Sequence, residues 1–395
     1  MRGTTAVYWD PYDARFAPDP YPTFARLREE APLYYNEQYD FYAVSRFADV
    51  ERGLPDWETF SSARGSVLEF LKSGIEMPPG TLIFEDPPVH DIHRRLLARV
   101  FTPRRIAALE PQVREFCARA LDPLAGERRF DLMTAVGTQV PMWVIGKLLG
   151  VPEADQVAIR DFTDNKLRTE SGGQMAFDGG FSSELIADYV SWRQDHPSDD
   201  LITELLHAEF EDEHGVTRTL TRDEVLTYVT VIAGAGNETT GRLIGWIGSV
   251  LAVHPQQRQE LADDRALVPN AIEEILRYEP PGPAVARYVT RDVTYYGEQV
   301  PAGSAMMFIV AAANRDHRHY PDPDRFDIHR SLGQQLTLGL GSHYCLGAAL
   351  ARLEGRVAME EILCRFPRWD VDWENARLSQ TSTVRGWESL PLVIG

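Results

Sequence analysis

Apolar residues recur at three- and four-residue spacing over most of the chain, a period that predicts helices. The clearest helical stretches are 104–121, 154–165, 183–194, 223–253 and 347–366. Runs rich in β-branched and aromatic residues fall in three places: 33–35 with 41–44, 288–296 with 305–310, and 390–394. Residues 195–200 and 211–219 read as turns. Strand-like runs near both ends and a helical middle predict a mainly α protein with a small β region made from both ends of the chain. No Gly-, Ser- or Pro-rich linker interrupts the pattern, so it predicts one domain over 1–395.

The stretch 223–253 is the longest helix and has a defect in its middle. Thr221 with Glu224 forms a capping box at its start, and Leu220 and Val225 can close a hydrophobic staple across it. Midway comes Ala233-Gly234-Ala235-Gly236-Asn237-Glu238-Thr239-Thr240. Each interior Gly costs about 1 kcal/mol relative to Ala. Small residues here admit either a flat ligand close to the backbone or a closely packed neighbouring helix. A threonine hydroxyl can also bond a carbonyl one turn back and loosen the ladder.

Composition narrows the function. The 395 residues are 44% hydrophobic and 25% charged, as in an ordinary globular protein. The net charge of −19 argues against nucleic-acid binding and makes any basic patch conspicuous. Three widely spaced cysteines, Cys117, Cys345 and Cys364, form neither a disulfide framework nor a zinc site. No signal-peptide pattern or membrane-length apolar run is present, which predicts a cytoplasmic protein with no membrane span.

Cys345 lies in Leu338-Gly339-Leu340-Gly341-Ser342-His343-Tyr344-Cys345-Leu346-Gly347, just before a helical run. Free N–H groups and the dipole at a helix start favour a thiolate. A lone shielded thiolate suits haem iron and favours O–O cleavage. The loop resembles the haem-binding signature of cytochromes P450 at every fixed position but one, where Leu338 replaces the family's Phe. The defect in the long helix resembles that family's oxygen-activating groove: Ala235 and Gly236 match its small pair, Glu238 its acid and Thr239 its alcohol. Oxygen activation consumes two protons, which a hydroxyl can orient and a carboxylate can relay.

Other segments carry the same resemblance. Glu274 and Arg277 match the family's Glu-x-x-Arg, and Arg325-Phe326 its later Pro-x-Arg-Phe. The resemblance implies a buried triad of Glu274, Arg277 and Arg325 that fixes the loop before the cysteine. It also implies that His90, Arg94, Arg287 and His343 hold the haem propionates. His93 lacks such support and reads as a surface residue. The implied fold is that of a soluble bacterial cytochrome P450. Its haem b would lie between the long distal helix and the helix after Cys345, with the iron on Cys345 and with Ala235, Gly236, Leu338 and Gly347 at the cofactor.

The resemblance implies a monooxygenase that inserts one atom of O2 into a hydrophobic substrate. Electrons would come from an acidic ferredoxin or flavodoxin and its NAD(P)H reductase, because the chain has no flavin or nicotinamide domain. Arg94, Arg95, Arg99, Arg104, Arg105, Arg352 and Arg356 would form the docking patch. Family position puts Leu68, Phe70, Leu82, Ala233, Ala235, Ala284, Val285 and Trp387 around a small apolar substrate; Arg64 or Arg168 can anchor a carboxylate, the alternative being that each is an ordinary surface arginine. The same fold also serves peroxide-driven oxidation, dehydration, nitric oxide reduction and haem sensing. The acid–alcohol pair speaks against the peroxide-driven reading, and a sensor would need neither a proton relay nor an electron-partner surface.

Overall fold

The structure is a computed structural model that describes residues 7–75, 80–159, 184–379 and 381–395. Arg168 and parts of the predicted helices 154–165 and 183–194 lie outside these residues. Within them, 153–159 and Glu184–Asp195 are helical.

The long helix runs unbroken over Arg222–Val253, about 48 Å at 1.5 Å per residue. Its capping box forms as the sequence predicts: Glu224 N–H donates to Thr221 Oγ1 at 3.2 Å, and Thr221 N–H donates to Glu224 Oε2 at 2.7 Å. From Thr240 to Leu251 every residue is buried, so this half is the central strut of the main core. Close neighbours require its small residues. A Cβ on Gly241 would stand 2.5 Å from the Gly137 carbonyl oxygen. Around the strut pack the helices Val140–Leu149, Val268–Tyr278 and Ala348–Arg365 and the wide turn Met133–Gly137.

Two sheets flank this helical body. A five-stranded sheet runs in the order Leu33–Asn36, Phe41–Val44, Ala305–Phe308, Val285–Val289 and Phe60–Ser61. Its one parallel pair joins Phe41–Val44 to Ala305–Phe308, with Met306 opposite Tyr42. In a three-stranded sheet, Pro391–Ile394 lies between Trp369–Val371 and Arg129–Asp131. The β region thus draws on both ends of the chain.

Three expected elements differ from the pattern, and the first, the run 288–296, is divided between the strands Val285–Val289 and Val293–Tyr295 of different sheets. The expected helix 104–121 is two helices, Pro103–Ala108 and Glu110–Leu121. Pro111 has no N–H to continue the ladder across the join. The expected turn at 211–219 is a hairpin, with Glu209–Glu211 paired to Thr217–Thr219. Asp212 closes its tip by accepting from the N–H groups of His214 and Val216. Among the described residues no helix is long and apolar enough to cross a membrane.

Candidate active site

The cysteine loop is a tight backbone fold. Cys345 N–H donates to the Leu338 carbonyl at 2.7 Å, and Gly339 N–H to that of Leu336 at 2.9 Å. Gly339 and Gly341 take φ of 72° and 65°, a region that side chains disfavour. A Cβ on Gly341 would also press into Pro55 at 2.8 Å. Gly347 then caps the helix Ala348–Arg365. The cysteine is half-buried. Burial pushes its thiol up, outweighing the Gly347 N–H and the Arg94 and Arg352 charges that pull it down. The helix start therefore does not by itself produce the expected thiolate. A thiol that coordinates a metal is nonetheless deprotonated outright.

Beneath the loop lies the Glu274–Arg277 pair, fully buried and bidentate at 2.7 Å. Arg277 Nη1 donates to the carbonyls of Asn314 and Pro323. The Asn314 side chain accepts from Leu336 N–H and donates to Thr337 Oγ1, and Thr337 Oγ1 donates to Leu276 O. This chain of bonds ties the Glu-x-x-Arg helix to the base of the cysteine loop. The third member is not Arg325, whose side chain is 69% exposed and lies 3.5 Å from Asp327. Its backbone carbonyl accepts from Arg277 instead. Arg330 fills the role: its side chain is 9% exposed, and Nε lies 3.2 Å from Glu274 Oε1. Its other nitrogens donate to the carbonyls of Pro321, Asp322 and Arg325. The motif match stopped at Arg325 because nothing in the spacing distinguishes it from an arginine five residues later.

The four expected cofactor-holding residues come together. The rings of His90 and His343 lie 4.5 Å apart, and Arg94 Nη2 donates to Tyr344 O at 2.6 Å. Arg287 is buried, and Nη1 donates to Ala286 O. Burial holds its guanidinium down to about 10. Burial, then Arg287 and His90, push His343 down to about 3. Burial likewise lowers His90. Both imidazoles are neutral at pH 7, and Nε2 of each is buried without a hydrogen-bond partner. Two orphaned ring nitrogens beside a buried cation call for anionic acceptors, so the donor set fits the carboxylates of a haem.

On the long helix, Ala235 is exposed and Gly236 half-buried among buried neighbours. A Cβ at 236 would meet Ile145 Cδ1 at 2.6 Å, so helix packing demands this glycine and Ala235 carries the open face. Thr239 Oγ1 donates to Ala235 O at 2.9 Å. The buried Glu238 carboxylate pairs with Arg242 at 3.0 Å.

The expected pocket residues divide. Ala284 and Trp387 line a cavity of about 610 Å³ between 9–24 and 373–388. Leu68 is packed in an aromatic core with Trp9 and Tyr12, and Phe70 stacks edge-on against Phe84. Leu82 and Ala233 belong to the main core, and Val285 packs beside the sheet core. Arg64 lies over the Tyr288 ring. His93 is not a surface residue: it is 3% exposed, 2.7 Å from Glu85 and edge-on to Tyr228. The docking patch is narrower than expected. Arg105 pairs with Glu204, Arg352 with Glu273, and Arg356 with Glu110 and Glu360. Among the described residues Arg95, Arg99 and Arg104 are exposed and pair with no acid.

Comparison with known proteins agrees with this geometry. The sequence model of the family described as Cytochrome P450 matches residues 181–384. A putative cytochrome P450 123 of Mycobacterium tuberculosis is 36% identical over 399 residues, covering 99% of this chain and 98% of its own. The erythromycin C-12 hydroxylase of Saccharopolyspora erythraea is 36% identical over 387 residues, covering 93% of each. The solved structure of a cytochrome P450 from Chondromyces apiculatus superimposes with a TM-score of 0.86 at 33% identity, covering 98% of each chain. With the cysteine loop, the buried Glu-x-x-Arg and the long helix all in place, the chain belongs to the cytochrome P450 family of haem-thiolate, oxygen-dependent monooxygenases.

Proposed function

We propose that Cys345 is the thiolate ligand and that the protein oxidises a C–H bond of a small hydrophobic substrate in the cytoplasm, as a single domain over 1–395. The observation that carries this reading is the meeting of the cysteine loop with the orphaned His90 and His343 nitrogens and the buried Arg287. When bound, the haem supplies oxygen activation. The chain's own residues do the rest. His90, Arg94, Arg287 and His343 hold the propionates. Gly347 N–H points at the sulfur and moderates its charge. Leu338 and Gly347 would line the thiolate side and Ala235 the distal side, while Gly236 is turned to Ile145. Thr239, anchored on Ala235 O, presents its oxygen lone pairs to the open face, and Glu238 relays protons from solvent.

The substrate class rests on apolar walls. Trp9, Phe24, Trp373 and Trp387 line the cavity that Ala284 shares. A fatty acid, terpenoid, sterol or aromatic compound suits such walls, and the Saccharopolyspora relative is named for erythromycin. Electrons come from an acidic ferredoxin or flavodoxin with its NAD(P)H reductase. The test is spectroscopic, then isotopic. Reduced protein under carbon monoxide shows the thiolate-type Soret band, and Cys345→Ala loses it. Under ¹⁸O2 with a reconstituted ferredoxin system, product carries one labelled oxygen. A folded wild type that binds haem without the thiolate band overturns the assignment.

A further inference from the structure

Glu238, the relay acid of the preceding reading, is not simply open to solvent. One turn on, Arg242 grips it: Nη2 lies 3.0 Å from Glu238 Oε1, with both side chains almost fully buried. The same Nη2 donates to Ser379 Oγ at 2.9 Å, and Nη1 donates to the Trp387 carbonyl. Ser379 and Trp387 belong to the C-terminal hairpin, where Arg377–Leu378 pairs with Trp387–Ser389. Three further contacts seat that hairpin. The Trp387 indole donates to Ser249 Oγ at 2.8 Å, and the Trp246 indole to Arg385 O at 3.0 Å. Gly386 leaves room for the arginine stem, since a Cβ there would meet it at 2.6–3.0 Å. Ser379 and Trp387 also line the 610 Å³ cavity.

We infer that Arg242 is a positioning residue for proton delivery, holding Glu238 in place from an anchor on the C-terminal hairpin. The inference rests on Glu238 being the relay acid. Its physical basis is the sharing of one planar guanidinium among three acceptors. While Ser379 and Trp387 take two of its bonds, the guanidinium keeps its place and offers Glu238 Oε1 a fixed point. Without the hairpin anchors the guanidinium is held less firmly, and the fixed point it offers the carboxylate loosens. Without Arg242, the carboxylate loses that fixed point.

The test compares two ways of driving O-dealkylation of 7-ethoxycoumarin, used as a surrogate substrate. One is O2 with NADPH, ferredoxin and ferredoxin reductase. The other is hydrogen peroxide, which brings its own protons and does not draw on the relay. Four variants are compared: Arg242→Met, Arg242→Lys, Ser379→Ala and Glu238→Gln. Arg242→Met is expected to lower product per NADPH several-fold and raise the solvent deuterium isotope effect on kcat, with peroxide-driven turnover within about twofold of wild type. Arg242→Lys restores part of the loss. Ser379→Ala moves both readouts in the same direction by less, and does so even where Arg242→Met fails to fold. If Glu238→Gln is impaired while the Arg242 and Ser379 variants match wild type, the inference is wrong and the relay reading stands. An unchanged Glu238→Gln overturns the relay reading itself. Equal losses in both assays make Arg242 a structural residue and overturn the inference.

Discussion

Single atoms decide most of the chemistry at this site. Thr239→Ala removes the hydroxyl bonded to Ala235 O. It is expected to keep substrate affinity and divert NADPH into hydrogen peroxide, measured as peroxide released per NADPH oxidised. Unchanged coupling would make the threonine a packing residue. Leu338, on the proposed thiolate side, is half-buried against the main core, with its carbonyl held by Cys345 N–H. Leu338→Phe adds a ring beside the sulfur, and local apolarity and hydrogen bonding there set the iron potential. Anaerobic redox titration should show a shifted potential with the substrate-binding constant unchanged. Cys345, Thr239 and Glu238 were legible as candidates because their neighbours in sequence mark them. His93 and Arg242 were not. The first is buried by Glu85 and Tyr228, the second by a hairpin some 140 residues away, and one-dimensional spacing carries neither contact.

At the scale of elements, the sequence pattern read well where local chemistry decides. The long helix begins at its capping box, and the helix after Cys345 runs over Ala348–Arg365 as its period predicts. It read poorly at 104–121, where Pro111 breaks a continuous apolar period, and at 211–219, where polar residues conceal a hairpin. The Glu274–Arg277–Arg330 cluster gives a direct comparison. Arg330→Ala removes a buried guanidinium that satisfies Glu274 and three carbonyls. It should cost about 2–4 kcal/mol and erode the carbon monoxide band, because the cysteine loop hangs from this cluster. Arg325→Ala, on an exposed side chain, should stay within about 0.5 kcal/mol. Urea denaturation of the two holoproteins separates them, and equal effects would restore Arg325 to the cluster.

For the whole molecule, charge matters most. A protein of net charge −19 presents Arg95, Arg99 and Arg104 without acidic partners among the described residues. Arg95 and Arg99 are four residues apart, on one helical face. Reversing both to Glu should raise the ferredoxin concentration for half-maximal turnover several-fold and leave substrate binding intact. Added salt should reproduce this on wild type, since the Debye length falls from about 30 Å at 0.01 M to about 8 Å at 0.15 M. A double variant reduced as readily as wild type at low salt would place docking elsewhere.

The parallel pairing of Phe41–Val44 with Ala305–Phe308 also has a consequence during synthesis on the ribosome. About 260 residues separate the partners, so at ~5–20 residues per second the first strands wait roughly 13–50 s for their neighbour. The hairpin Leu33–Val44 meanwhile shows a bare edge, the kind of surface that chaperones cover. The proposed cofactor anchors emerge in a similar order: His90 and Arg94 early, Arg287 with the late strands, and His343 and Cys345 only near the end. Haem loading through these anchors therefore waits for the cysteine loop to emerge, and cells making this protein faster than they make haem would accumulate chains in which that loop has nothing to close on.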